Sequence, residues 1–181
     1  MKTASSWNFG AAPLLGARDS EGDRDPIVSL CSFKVGGEGF VLDLLRVREI
    51  LRPMKVTPVP KAPPYLEGVI HLRGAVVPVV DLRKRLGVAS IEDGPQNRLI
   101  VCWVGRRQVG LIVDHVTDVI RIPRSRLLPT PDLWLEGGAR YFLGVCGDPP
   151  DLKLLLNLKA LLTSGEPVPR PAKQVKGGPS R

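Results

Sequence analysis

The segment from residue 65 to residue 87 reads Tyr65-Leu-Glu-Gly-Val-Ile-His-Leu-Arg-Gly-Ala-Val-Val-Pro-Val-Val-Asp-Leu-Arg-Lys-Arg-Leu-Gly87, and it predicts a tight β-hairpin followed by a short helix. Residues 69–73 alternate with the period of a strand, and Gly74 supplies the turn. The return arm, residues 75–80, is almost wholly apolar, which predicts burial on both faces. Asp81 is then expected to cap a helical turn that ends at Gly87.

Two charged residues stand in apolar surroundings. Arg73 lies beside the glycine turn, between two apolar arms, so its guanidinium either pairs within the chain or is presented to a partner. Glu49 falls on the apolar face of another predicted strand, between Val47 and Leu51, where an unpaired charge is costly. It either sits at an edge and pairs with a neighbouring arginine, or it is held half-exposed for a partner. The sequence leaves both alternatives open.

The composition is that of a globular protein with room for one ordinary domain or two very small ones. The chain has 181 residues, of which 43% are hydrophobic and 24% are charged. No apolar run approaches the ~18 residues of a membrane span, and the first residues make a poor signal peptide, so we expect a cytoplasmic protein.

The cysteines and histidines predict neither disulfides nor a metal centre. Cys31, Cys102 and Cys146 are odd in number, far apart and in predicted strands, which favours buried free thiols. His71 and His115 have no ligand spacing to each other or to a cysteine pair. We therefore expect no metal and no cofactor.

The net charge of +8 raises the question of nucleic-acid binding. Residues 1–26 carry −1, residues 27–163 carry +6 and residues 164–181 carry +3. The charges of the middle region are dispersed among strands and turns, and aromatic residues make up only 5%, too few for a base-stacking surface. A basic face for an acidic protein partner accounts for the charge as well as nucleic-acid binding does, and a merely solvated surface accounts for it better than either. We expect no nucleic-acid partner.

The second half of the chain repeats the first. Residues 43–51 correspond to residues 114–122, residues 65–70 to residues 141–146, and Asp81 to Asn157. Each unit of about 60–70 residues has short strands separated by glycine and proline, which suits a small closed or nearly closed β-barrel. Units this small should pack together and can exchange strands.

These patterns predict a division of the chain. A flexible tail covers residues 1–26, the double unit covers 27–163 with halves at 27–90 and 97–163, and a disordered basic tail covers 164–181. Phosphate-binding glycine motifs and a nucleophile elbow are both absent from the sequence, and the carboxylates are scattered, so no catalytic residues and no enzymatic activity are expected.

The quoted segment resembles the hallmark of the CheW-like family of chemotaxis coupling proteins. The family pattern runs roughly Tyr-x-x-Gly-Val-x-Asn-Leu-Arg-Gly-x-x-x-Pro-x-x-Asp-Leu-Arg, and this chain matches it at Tyr65, Gly68, Val69, Leu72, Arg73, Gly74, Pro78, Asp81, Leu82 and Arg83. His71 replaces the usual asparagine. The resemblance implies an all-β fold of two small five-stranded, SH3-like barrels packed side by side, with short helices.

The same resemblance implies a non-catalytic adaptor. Such proteins join the regulatory domain of a CheA-type histidine kinase to the cytoplasmic tip of methyl-accepting chemoreceptors, in arrays at the inner face of the membrane and without inserting into it. Barrels of kinase and coupler pack end to end, and receptor helices dock between the two barrels. A coupler for another chemosensory pathway, such as surface motility or gene regulation, is the alternative, followed by a basic nucleic-acid-binding barrel.

Position by position, the family pattern makes five residues candidate partner contacts: Val47, Glu49, Gly68, Arg73 and Gly74. Arg73 would either offer its donors to a partner carboxylate or carbonyl or pair with Glu49. A side chain at position 68 should clash either with a receptor helix or with the chain's own strand. Val47 is either the apolar half of the contact patch or ordinary core.

Overall fold

A computed structural model describes residues 25–88, 94–130, 139–163 and Val168. The predicted tails lie almost entirely outside the described residues. Within them the chain forms ten strands, two short α-helices and several 3-10 turns. The strands are β1 (Ile27–Val35), β2 (Glu38–Asp43), β3 (Val47–Leu51), β4 (Leu66–Leu72), β5 (Ala75–Asp81), β6 (Arg98–Val104), β7 (Arg107–Val113), β8 (His115–Pro123), β9 (Phe142–Cys146) and β10 (Lys153–Leu156). The helices are α1 (Leu82–Arg85) and α2 (Leu158–Thr163).

The strands form two five-stranded sheets. Sheet I has the order β8-β1-β2-β10-β9, and sheet II has the order β3-β6-β7-β5-β4. Neighbouring strands are antiparallel except β2 with β10 and β5 with β7, which are parallel. Each sheet takes strands from both halves of the sequence, so neither sheet is built from one sequence repeat alone. The all-β class with short helices is confirmed.

The internal repeat is visible in equivalent backbone hydrogen bonds. The N–H of Asp81 donates to the carbonyl of Tyr65, and the N–H of Asn157 donates to the carbonyl of Tyr141, at 2.9 and 2.8 Å. The bridge between Thr57 and Val69 has its counterpart between Leu128 and Val145. The Asn157 side chain also caps α2, since its Oδ1 accepts a hydrogen bond from the N–H of Ala160.

The largest core lies between the two sheets. Sheet I contributes Phe33 and Phe40, whose rings stack at 6.2 Å, and sheet II contributes Ile100 and Leu111. Each sheet also has a smaller apolar cluster of its own. In sheet I this cluster contains Val28, Leu30, Val41, Cys146 and Leu155, and in sheet II it contains Ile70, Val77, Val79, Leu99 and Val101. Apolar side chains on both faces of each sheet therefore hold the two layers together and give each its own interior.

Buried arginines fix the junction between the two halves. The Arg85 guanidinium lies over the rings of Tyr65 and Tyr141, at 4.7 and 5.8 Å from their centroids, and its Nε donates to the carbonyl of Leu161. Arg83 is paired with Asp81, with 2.7 Å between Nη2 and Oδ2, and both side chains are about 95% buried. Charge-assisted bonds and cation–π contacts satisfy groups that would otherwise be costly to bury.

The capped helix after β5 is confirmed. The Asp81 carboxylate accepts from the N–H of Arg83 at 2.8 Å, and Gly87 adopts φ 63°. The N–H groups of Gly87 and Val88 donate to the carbonyls of Lys84 and Arg83, which is the glycine-terminated C-cap.

The cysteine prediction is also confirmed. All three thiols are free and buried, and burial raises the pKa of each, to about 12 for Cys102.

One expectation is wrong. The return arm was predicted to be buried on both faces, but Val76, in β5, is 60% exposed. Two residues within the predicted tails are described. Val168 is buried and packs in the main core, and the Asp25 carboxylate accepts hydrogen bonds from the backbone N–H and the hydroxyl of Ser125.

Candidate functional site

The β4–β5 hairpin ends in a two-residue turn with unusual backbone conformation. Arg73 and Gly74 both have positive φ, 48° and 82°. Such a turn suits the right-handed twist of a hairpin, and Asn-Gly is its preferred sequence. A left-handed conformation at arginine costs roughly 1–2 kcal/mol, because its Cβ crowds the following carbonyl. The chain therefore places an arginine where the backbone alone favours asparagine or glycine.

The guanidinium of Arg73 reaches across the surface to Glu49. The Nη2 atom lies 3.1 Å from Oε2 of Glu49, and the arginine side chain is 68% exposed whereas that of Glu49 is only 16% exposed. Arg48 lies on the other side of the carboxylate, with its Nε 3.8 Å from Oε1, which is buried and accepts no hydrogen bond from the described residues. Internal pairing and outward presentation, the two alternatives left open by the sequence, thus coexist at Arg73.

Gly68 lies inside the fold. Its φ is 144°, and a Cβ added there would stand 2.1 Å from the Thr57 carbonyl oxygen. The close approach that the sequence analysis attributed either to a receptor helix or to the chain's own strand is made here by the chain's own connector. Its repeat counterpart Gly144 is in a similar position, 2.7 Å from the Leu128 carbonyl oxygen.

Val47 and Gly74 differ in their surroundings. Val47 is half-buried and packs against the main core. Gly74 is exposed at the hairpin tip, where an added Cβ would have no atom within 4 Å. The hairpin tip thus brings Glu49, Arg73 and Gly74 together at the surface, while Gly68 and Val47 lie behind it.

A groove of about 870 Å³ lies between sheet II and helix α2, which follows the last strand of sheet I. Its floor and walls are largely apolar and come from β4, β5, the β6–β7 hairpin and α2. The lining includes Tyr65, Val76, Pro78, Trp103, Val109 and Leu162. Val76 and Trp103 remain 60% and 39% exposed, so the groove presents large apolar side chains to any occupant.

The groove lining also contains polar residues. Within the described part of the chain, the Oε1 atom of Gln108 is buried without a hydrogen-bond partner. Arg106, Arg107 and Lys159 are exposed at the lining, and within the described ranges none of these three cations is in an ion pair.

Arg48 connects the groove to the hairpin tip. Its guanidinium lies 5.9 Å from the ring centroid of Trp103 while its Nε faces Glu49. Arg73, Glu49, Arg48 and Trp103 therefore form one row along the surface. Arg48, Val76 and Trp103 were not among the predicted contacts. The available signal for an exposed aromatic side chain was a tryptophan two residues before a Gly-Arg-Arg turn.

The described ranges hold neither a candidate metal centre nor a candidate membrane-spanning helix. Among the described residues no cluster of three potential ligands has the geometry to hold a metal ion. No helix in those ranges has the length and hydropathy needed to cross a bilayer. The carboxylates of Asp81 and Asp43 cap the turns that follow them. Burial raises the pKa of Asp43, opposed by the Leu45 N–H and the Arg46 charge.

Comparison with known proteins decides the family. The CheW-like domain matches residues 29–166. The chain belongs to the CheW-like family. The "Probable chemotaxis protein CheW" of Rhizobium etli is 33% identical over 147 residues, which cover 81% of this chain and 92% of that protein. The "Chemotaxis protein CheW" of Rhizobium meliloti is 37% identical over 137 residues, covering 76% and 88%.

Two further matches, one curated protein and one solved structure, agree with this assignment. "Protein FrzA" of Myxococcus xanthus is 35% identical over 135 residues, covering 73% of this chain and 84% of that protein. The crystal structure of the scaffolding protein TtCheW from Thermoanaerobacter tengcongensis superimposes with a TM-score of 0.68 at 27% identity, covering 76% of this chain and 94% of that one. The SH3-like fold class implied by the CheW-like resemblance is confirmed. These matches support a role as a chemotaxis scaffold or adaptor.

Proposed function

We propose that this CheW-like chain joins a CheA-type histidine kinase to the cytoplasmic tip of chemoreceptors, and that it does so by docking alone. The observation that carries the proposal is Arg73: it sits in a costly backbone conformation at a hairpin tip and keeps most of its guanidinium exposed. Strain of this kind persists where the surrounding structure imposes it, and it is typical of functional sites.

The chemistry of the tip suits a polar contact. The Glu49 carboxylate holds the guanidinium from one side, which leaves its remaining N–H groups for a carboxylate or carbonyl of a partner. Only the Arg73 end of the pair is exposed, and solvent screens the attraction at that end. The exposed guanidinium is therefore better explained by partner binding than by folding.

The groove suits an amphipathic helix of the receptor tip. Such a helix would place its apolar face on Val76 and Trp103 and its acidic side chains near Arg106 and Arg107. The row from Arg73 to Trp103 makes the hairpin tip and the groove adjoining parts of one surface, so both partners can be held at once.

The test uses Arg73→Asn, because asparagine tolerates the left-handed turn and leaves the fold intact. Binding of a purified kinase regulatory domain and of a receptor-tip fragment is measured by calorimetry. We expect at least about a tenfold weaker affinity for one of them, or about 1.4 kcal/mol. Arg126→Asn is the matched control, since it breaks another exposed ion pair, 3.0 Å to Asp148. Equal affinities for the Arg73→Asn variant and the control would remove the hairpin tip from the proposal.

A groove variant separates the two partners. Val76→Asp places a charge at an exposed position of the groove. It should weaken the binding of the receptor-tip fragment while leaving kinase binding unchanged. Loss of kinase binding alone would reverse the assignment of the groove.

The match to FrzA favours testing a second pathway. A coupler of a surface-motility or gene-regulatory pathway would use the same surfaces with a different receptor. Pull-down with the receptors and kinases encoded beside the gene discriminates between the two, since only the cognate set should assemble.

A further inference from the structure

The N-terminal segment has a composition that solvation alone does not explain. Residues 1–24 contain two of the nine aromatic residues of the chain, Trp7 and Phe9, followed by Leu14 and Leu15. No ionisable side chain occurs between residues 3 and 17, whereas residues 18–24 carry three acids and two bases. Segments that remain solvated are typically poor in aromatic and apolar residues and rich in charge. The family match begins only at residue 29, so this segment is an addition to the shared domain.

We propose that residues 3–17 occupy the groove between sheet II and α2 of their own chain, and thereby compete with the partner for it. The apolar groove offers Val76 and Trp103 to apolar side chains, and Trp7 and Phe9 are the side chains that the segment supplies. The proposal shares its groove with the proposed function but does not require the partner to be a chemoreceptor.

The aromatic side chains of the segment suit the apolar lining of the groove. Trp7 and Phe9 are amphipathic or apolar rings, and the indole N–H of Trp7 can stay at the groove rim, where water or a polar lining residue accepts its hydrogen bond.

Charge favours the N-terminal segment over the C-terminal one. Arg106, Arg107 and Lys159 make the lining of the groove basic. Residues 19–23 contain three acids and no base, whereas residues 164–181 carry +3 and would be repelled. The acidic stretch immediately follows the apolar one, so both can lie along the groove and its rim together.

The tether is long enough and raises the local concentration. Asp25 is fixed to Ser125, and the 18 residues from there to Trp7 span up to about 60 Å when extended. A domain of this size has a radius of gyration of about 14 Å, so the segment can reach any face. A short flexible tether gives an effective concentration of about 1 mM, so a segment that binds in trans with a Kd of about 0.1 mM would weaken a competing partner about tenfold.

The test needs no partner. Trp7, Trp103 and Trp134 are the three tryptophans, so the indole region of a ¹H–¹⁵N spectrum contains three signals. In the full chain we expect the Trp103 signal to differ from its position in a variant lacking residues 1–17. We also expect Val76→Asp in the full chain to move the Trp7 signal to its position in the isolated 1–17 peptide. Val119→Asp, at a similarly exposed valine on β8 of sheet I, is the matched control and should leave Trp7 unmoved.

Affinity provides the second readout. A labelled 1–17 peptide should bind the shortened protein saturably with a Kd at or below about 1 mM, and Trp7→Ser in the peptide should weaken it at least tenfold. Deletion of residues 1–17 should then tighten binding of a receptor-tip fragment.

A Trp103 signal that is unchanged by the deletion would overturn the proposal. So would a shift that depends on protein concentration, because the segment would then bind a second copy. If the peptide binds but no receptor fragment does, the proposed function fails and this inference stands.

Discussion

Replacing Gly68 by alanine tests whether this residue of the family hallmark serves the fold or the partner. The added Cβ would stand 2.1 Å from the Thr57 carbonyl oxygen, and the atoms it meets are backbone, which cannot rotate away. The φ of 144° is one that residues with a side chain rarely adopt. Relief therefore requires the connector at residue 57 to move off β4.

The expected cost follows from these contacts. Moving the connector breaks two backbone hydrogen bonds between Thr57 and Val69, both 2.9 Å, worth about 1 kcal/mol each. Backbone strain at position 68 adds about 1–3 kcal/mol. The sum, about 3–5 kcal/mol, is a large part of the stability of a small domain and corresponds to a fall in Tm of roughly 10–15 °C.

The assay compares three alanine variants by thermal and urea unfolding. Gly144→Ala, whose Cβ would lie 2.7 Å from the Leu128 carbonyl oxygen, should lose less stability than Gly68→Ala. Gly74→Ala has open space around it, and only its φ of 82° costs about 1 kcal/mol. Well below its Tm, Gly68→Ala should still bind its partners with normal affinity. A Gly68→Ala protein that melts within about 2 °C of the parent and fails to bind would contradict a structural role, and Gly68 would then be a contact residue.

Three further outcomes follow from buried groups. Arg83→Met should lower the free energy of unfolding by about 3–5 kcal/mol, because Asp81 is left as an uncompensated buried charge, whereas Lys84→Met, at an exposed neighbour, should cost under about 1 kcal/mol. Between pH 9 and about 12, Cys102 stays protonated in the folded state while its unfolded thiol ionises, so the free energy of unfolding should fall by about 1.4 kcal/mol per pH unit. Cys102→Ala should remove that share of the slope in urea titrations. Burial raises the pKa of Asp43, so its contribution to stability is greatest below about pH 4 and is lost as the pH rises through the folded value. Asp43→Asn should abolish this part of the pH profile, and an unchanged profile would exclude Asp43 as its source.

Local signals in the sequence were sufficient for the elements of the hairpin and helix. Period-two alternation ending at a glycine predicted β4, the turn and β5, and the short-range capping chemistry of Asp81 and Gly87 predicted both ends of α1. The repeat was equally visible, because duplicated backbone contacts require similar residues at both sets of positions. The buried cysteines followed from their place in apolar strands.

Such local signals did not predict the exposure of Val76 and Trp103. An apolar run predicts burial. Whether both faces of β5 are covered depends on the positions of α2 and the β6–β7 hairpin in the folded chain. Alternation placed Glu49 on an apolar face, and pairing of Arg73 with Glu49 was one of two alternatives that the sequence left open. The two residues are 24 positions apart, so only the folded chain shows their side chains in contact.

The strands, the duplication, the caps and the family could be read from the sequence, because each depends on the chemistry of residues close together in the chain. Three features required the folded chain: the strands of the two halves mix within each sheet, the chain's own connector encloses Gly68, and an apolar groove lies beside α2. These features depend on contacts between distant segments, whose geometry is set by how the two sheets pack around their shared core.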